Sequence, residues 1–222
     1  DNDFDLQRLE ELSNSFNRDL EIMIRFTPGI ECHTHEYIRT GSFDSKFGFG
    51  IEYLNTLFQR ISNTKHLKLN GLHAHIGSQI FELDPHKDLG EIMVSIILDA
   101  KKYGHNIKKL NVGGGLGIKY IEDDDPPSID EWVRTISSSV LKACNKHNLD
   151  LPILMCEPGR SIVSTAGITI YKIGAFKKIP GIRTYLSVDG GMSDNPRPIT
   201  YQSSYSACLV SNPFNINSKN KF

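Results

Sequence analysis

Cysteine is scarce in this sequence, tryptophan occurs once, and long apolar runs are missing; each shortage removes a class of protein. The four cysteines, Cys32, Cys144, Cys156 and Cys208, stand far apart with no paired spacing. That distribution argues against a disulfide framework or a thiolate zinc site and fits a reducing compartment, the cytoplasm. No apolar run approaches the roughly 20 residues that a membrane-spanning helix needs. The opening Asp1-Asn2-Asp3-Phe4-Asp5 has neither the basic start nor the apolar core of a secretion signal. Neither sign of charge dominates: 25 Lys and Arg against 26 Asp and Glu leave a net charge of -1. The basic residues are scattered, so the sequence carries no electrostatic footprint for nucleic acid or an anionic membrane. The expected partners are a small molecule and a second copy of the chain.

What is present is a globular composition, 39% hydrophobic over 222 residues, arranged in a repeating pattern. Leu6, Leu9, Leu12 and Phe16 form a helical stripe ahead of the alternating Leu20, Ile22, Ile24 and Phe26 of a strand. The pattern recurs three times. Ile51 to Ile61 leads into Leu67 to Leu72, Leu89 to Ala100 into Ile107 to Val112, and Ile129 to Leu141 into Leu151 to Cys156. Alternating helix and strand predicts a parallel sheet with helical crossovers, an α/β fold. After Arg160 the pattern changes, and Ile168 to Ile173, Tyr185 to Val188 and Ala207 to Val210 read as strands without long helices between them. The chain opens on Asp1 and stops in a polar stretch, so it is expected to be an internal piece of a longer protein.

Polar and glycine-rich motifs fall at the carboxyl ends of the predicted strands, where α/β folds place ligands. In Asn111-Val112-Gly113-Gly114-Gly115-Leu116-Gly117, the absence of Cβ atoms lets backbone N–H groups converge on an anion such as phosphate, although such a run also serves simply to turn a chain. His75-Ile76-Gly77-Ser78-Gln79 offers an imidazole face and a hydroxyl; alternatively the histidine is satisfied by a backbone carbonyl and Ser78 is a cap. Glu157-Pro158-Gly159-Arg160 sets a carboxylate beside a guanidinium, either for a ligand or for each other. Asp189-Gly190-Gly191 is followed by Arg197-Pro198-Ile199-Thr200-Tyr201, an Arg and a Tyr able to grip a carboxylate. Together these supply a phosphate cradle, a flat face, a carboxylate and a carboxylate clamp, the needs of pyridoxal phosphate (PLP) with an amino acid.

At these residues, and at His35 to Ile38, Thr40-Gly41 and Asp44 to Gly48, the sequence resembles the fold-type III PLP-dependent decarboxylases, the diaminopimelate decarboxylase branch in particular, over essentially its whole length and in the family's order. The resemblance implies a TIM-like barrel of the alanine-racemase type followed by a β domain. Residues 1–166 would be the second half of the PLP-binding barrel, and residues 167–222 its last associated segment and the beginning of a truncated C-terminal β domain. It further implies that His75 stacks on the cofactor ring, that Gly77, Ser78, Gly113, Gly114, Gly115, Pro158, Gly159 and Arg160 surround it and its phosphate, that Glu157 faces the ring nitrogen, and that Arg160, Arg197 and Tyr201 hold substrate carboxylates. Ser161-Ile162-Val163 after the Glu-Pro-Gly-Arg turn, and Leu116-Gly117 in the glycine run, lean toward diaminopimelate over ornithine. The implied reaction is decarboxylation of meso-diaminopimelate to L-lysine in a homodimer with shared active sites. Ornithine, arginine or carboxynorspermidine decarboxylation, and a non-catalytic PLP-binding homologue, are the alternatives.

The chain departs from the family in two places. The Schiff-base lysine on an early barrel strand and the Cys-Glu pair of the β domain have no counterpart here, so both are expected outside this chain and the 222 residues alone are expected to be inactive. Lys46 and Lys172 sit in the wrong contexts to replace the lysine. Cys32-His33-Thr34-His35-Glu36 crowds potential metal ligands, but no second ligand group is evident, and no metal is expected.

Overall fold

The computed structural model describes residues 1–30 and 46–213. The first unit, residues 1–118 with 125–163, is built on five parallel strands: β1 (Leu20–Thr27), β2 (Phe49–Gly50), β3 (Leu67–His73), β4 (Lys109–Asn111) and β5 (Ile153–Met155). Their order across the sheet is β2-β1-β3-β4-β5. Helices α1 (Asp3–Phe16), α2 (Leu54–Ser62), α3 (Asp84–Lys102) and α4 (Ile129–Lys146) alternate with them, followed by the short α5 (Gly159–Val163). The fold is α/β with a parallel sheet, as the helix–strand alternation requires.

The core forms where the helical stripes meet one face of the sheet. Leu57, Phe58 and Ile61 of α2, Leu89, Met93 and Ile97 of α3, and Trp132, Ile136 and Val140 of α4 are buried with Ile22, Ile24, Phe26, Leu69, Leu72 and Leu110 of the strands. Helix α4 starts cleanly because Ser128 and Glu131 form a reciprocal capping box. Helices α3 and α4 approach closely at Gly90, where a Cβ would meet Ser139 Oγ at 2.6 Å. One turn away, His86 lies 1% exposed and edge-on to Trp132, with ring centroids 5.6 Å apart. Among the described residues neither nitrogen of His86 nor Nε1 of Trp132 has a hydrogen-bond partner, and burial pushes the His86 imidazole down to about 4. At the far side of the sheet β5 is an edge strand, with Ile153 and Met155 exposed.

The second unit, residues 119–124 with 164–222, contains the antiparallel pair β6 (Ile173–Ile179) and β7 (Arg183–Val188) and the short helix α6 (Arg197–Thr200). Two sequence expectations are corrected here. The strand expected over Ile168–Ile173 instead begins at Ile173 and runs to Ile179, because Ile179-Pro180-Gly181-Ile182 makes the hairpin turn, with Gly181 at φ +73° and Ile182 N–H donating to Ile179 C=O. Proline then a positive-φ glycine at the centre of that turn is the type II pattern. The strand expected over Ala207–Val210 is reduced to a single bridge between Leu209 and Asn212.

Candidate functional site at the strand ends

Register decides which side chains meet. Arg25 of β1 is paired with His73 of β3, His73 with Asn111 of β4, and Asn111 with Met155 of β5. Registered neighbours in a sheet share a face, so these four residues form one row across the carboxyl ends of four strands, on the face opposite the helices' core. Two residues further along stand His75, Gly113 and Glu157, where backbone hydrogen bonds continue past the strand ends: Val112 N–H donates to Met155 C=O, and Glu157 N–H to Gly113 C=O at 2.6 Å.

Glu157 is the centre of the polar contacts. Asn111 Nδ2 donates to Glu157 Oε1 at 2.7 Å, and His73 Nε2 stands 3.6 Å from Glu157 Oε2. The second separation exceeds a hydrogen bond, and burial lowers the His73 pKa against the opposing pull of Glu157, so a neutral ring faces the carboxylate without bonding to it. The Glu157 side chain itself is 53% exposed, leaving its open side available to a ligand. Arg25 adds positive charge to the same row; its guanidinium lies 4.5 Å from the centre of the Phe47 ring.

His75 is held by a backbone N–H. Gly114 N–H donates to His75 Nδ1 at 3.2 Å. That bond requires an unprotonated Nδ1, and burial lowers the His75 pKa, with Arg25 and His73 pushing the same way. The ring is therefore a neutral, oriented plane.

The glycines are required by backbone crowding. Gly113 has φ +67°, and a Cβ there would lie 2.7 Å from Ala74 O and 2.8 Å from His75 Nδ1. Gly115, at φ +107°, would meet Gly77 O at 2.5 Å, and a Cβ on Gly114 would run into Glu157 O. The three strand-end turns thus touch backbone to backbone, and Gln79 clamps two of them by donating to Ile118 C=O and accepting from Ile118 N–H. Ser78 and Arg160 are both half-buried, in the turns after β3 and β5. Pro158 leads into α5, which begins at Gly159, so the expected Glu-Pro-Gly-Arg turn runs straight into a short helix.

In the second unit, Arg197 opens α6 and Tyr201 follows it. The Arg197 guanidinium lies 5.5 Å from the Tyr120 ring centre and 5.6 Å from that of Tyr201, and Tyr120 also packs against Tyr205. Arg197 Nε is buried without a hydrogen-bond partner among the described residues. The motifs single out Arg197 and Tyr201 but not Tyr120, Tyr205 or Arg25, and His73 and Asn111 fall within motif stretches without a role of their own. For Asn111 a signal existed, a polar side chain at a strand end immediately before a glycine run. Nothing local links Tyr120 to Arg197. Lys46 lies 5.1 Å from the Phe47 ring centre, and Lys172 is exposed with its N–H bonded to Asp189. The motif residues His35 to Ser45 and the Cys32-His33-Thr34-His35-Glu36 cluster lie outside the described residues.

The chain belongs to the pyridoxal-dependent decarboxylases: the model of that family's pyridoxal binding domain matches residues 1–164. Among curated relatives it is 55% identical over 210 residues to the diaminopimelate decarboxylase of Synechocystis sp., covering 95% of this chain and 45% of that protein. It is 40% identical over 213 residues to the diaminopimelate decarboxylase of Bacillus subtilis, covering 95% and 48%. Among solved structures it superposes on the Helicobacter pylori diaminopimelate decarboxylase complexed with L-lysine, with a TM-score of 0.81 at 28% identity over 91% of this chain and 49% of that one. These relatives place the α/β sheet in the TIM-like barrel class. The chain spans about half the length of the curated relatives it matches.

Proposed function

We propose that the protein carrying this chain is a PLP-dependent carboxy-lyase that converts meso-diaminopimelate to L-lysine and carbon dioxide. The observation that carries the reading is the row of His75, the Gly113–Gly115 turn and Glu157 at three adjacent strand ends, in a chain 55% identical to a relative named for that reaction. The residues fit the cofactor. A neutral imidazole plane, a turn that only glycine can make, and a carboxylate half open to solvent are the three features its ring face, phosphate and pyridine nitrogen need.

PLP, when bound, supplies an electron sink for the charge left as carbon dioxide departs. The chain's own part is to hold and orient. His75, fixed by Gly114 N–H, presents its ring face to the cofactor plane. Glu157 holds a proton at the pyridine nitrogen, because a carboxylate there favours the charged form of its partner. The turn of Gly113 to Gly115, with Gly77, Ser78 and the Pro158-Gly159-Arg160 turn, is assigned to the phosphate; the N–H groups of Gly113 and Gly114 are themselves used to hold Asn111 and His75. Arg160, and Arg197 and Tyr201 in the second unit, are assigned to the substrate's carboxylates; a buried guanidinium nitrogen that has no partner among the described residues suits Arg197 to that task. No residue of this chain is assigned as the Schiff-base lysine, which is assigned, with a Cys-Glu pair, to the remainder of the protein. A cytoplasmic homodimer with shared active sites completes the proposal, residues 1–166 belonging to its barrel and 167–222 to the start of its β domain.

The test is carbon dioxide release by the full-length protein with PLP, offered meso-diaminopimelate, ornithine and arginine separately. Turnover confined to diaminopimelate is expected. Turnover of ornithine or arginine instead would reassign the substrate, and PLP binding without turnover of any of the three would make the protein a cofactor-binding homologue.

A further inference from the structure

We propose that Asn111 is a positioning residue that fixes the Glu157 carboxylate, which would face the cofactor's ring nitrogen, and ties it to the glycine turn; this rests on the role given to Glu157 above. Asn111 ends β4 and is 7% exposed. Its Nδ2 donates to Glu157 Oε1 at 2.7 Å, while its Oδ1 accepts from Gly113 N–H at 3.0 Å. One amide therefore spans the carboxylate and the first glycine of the turn. The two partners also fix which end of the amide is which: a backbone N–H can meet only the oxygen, and a carboxylate oxygen only the NH2.

The backbone leaves Asn111 little freedom to do anything else. It is held between β3 and β5 by register with His73 and Met155, and its C=O accepts from Ala74 N–H at 3.0 Å. Gly113 C=O in turn accepts from Glu157 N–H, so Asn111, Gly113 and Glu157 form a closed ring of three hydrogen bonds. His73, on the other oxygen at 3.6 Å, makes no competing bond. Asn111 orients the Glu157 carboxylate and leaves its charge in place, since an amide donates without taking the proton.

The test uses the full-length protein loaded with PLP whose ring nitrogen is isotopically labelled, so that its NMR resonance reports protonation, together with kcat and KM for decarboxylation. Asn111→Leu is expected to shift the ring resonance toward the unprotonated position and to lower kcat about tenfold or more, the scale of a hydrogen bond to a charged group, with KM changing less than about threefold. Asn111→Asp keeps the acceptor for Gly113 N–H and replaces the amide donor by an ionised carboxylate, which repels Glu157 instead of holding it. Measured under mildly alkaline conditions it must reproduce the shifted resonance, and it decides the matter should Asn111→Leu not fold. In a Glu157→Ala background, Asn111→Leu is expected to move the resonance no further.

A parental resonance and kcat in Asn111→Asp would overturn the proposal, showing that Asn111 serves the turn and not the carboxylate. So would an effect of Asn111→Leu on the resonance that persists in full in the Glu157→Ala background. A ring nitrogen still protonated in Glu157→Ala alone would instead remove the role given to Glu157, a distinct failure.

Discussion

Replacing His86 by phenylalanine should make the protein both more stable and less sensitive to acid. His86 is 1% exposed at the contact of α3 with α4, and its imidazole is pushed from its ordinary 6.5 down to about 4 by burial, with His75 adding a smaller repulsion. Between those values the unfolded chain takes up a proton that the folded chain refuses. Stability is therefore whole above pH 6.5 and falls as pH drops toward about 4, where the loss reaches about 3 kcal/mol. Phenylalanine keeps an aromatic ring edge-on to Trp132 and has no proton to bind. It also removes two buried nitrogens that lack partners among the described residues, so stability near neutral pH should rise by about 1 kcal/mol. The assay is thermal or urea unfolding of parent and variant across that pH range. Parallel loss of stability in the two on acidification would refute the reasoning, because His86 would then not be the group that resists protonation.

Gly113→Ala combines a left-handed backbone with a Cβ 2.7 Å from Ala74 O, so a destabilisation of about 2–4 kcal/mol and weakened PLP binding are expected in melting and cofactor titration. Ser128→Ala removes one half of the α4 capping box and should cost about 1 kcal/mol in urea unfolding, with kcat unchanged. Arg197→Met, which keeps an unbranched side chain between Tyr120 and Tyr201 but has no charge, should raise KM for diaminopimelate by about tenfold or more while leaving PLP affinity alone, measured by steady-state kinetics and cofactor titration.

The helix–strand units of the first unit were legible because each helix shows one apolar stripe and each strand follows it closely; the stripe Leu89 to Ala100 falls inside α3, and Leu20 to Phe26 inside β1. What periodicity could not show was β2, since two residues, Phe49 and Gly50, carry no period, nor the sheet order that places β2 outside β1. The exposure of Ile153 and Met155 was equally hidden, because an apolar strand reads the same whether or not another element covers it. The glycines announced the strand-end turns, but their partners are long-range. Asn111 meets Glu157 across 46 residues, and Tyr120 joins Arg197 only through the folded chain. The hairpin at Pro180-Gly181 did have a local signal, and the apolar run at Ile168 to Ile173 drew the strand assignment away from it.

The most direct test of the account is decarboxylation of meso-diaminopimelate by the full-length protein with Glu157→Ala. The strand-end assignment predicts that kcat falls by orders of magnitude while PLP, still held by the glycine turn and His75, remains bound. Unchanged turnover in that variant would contradict it.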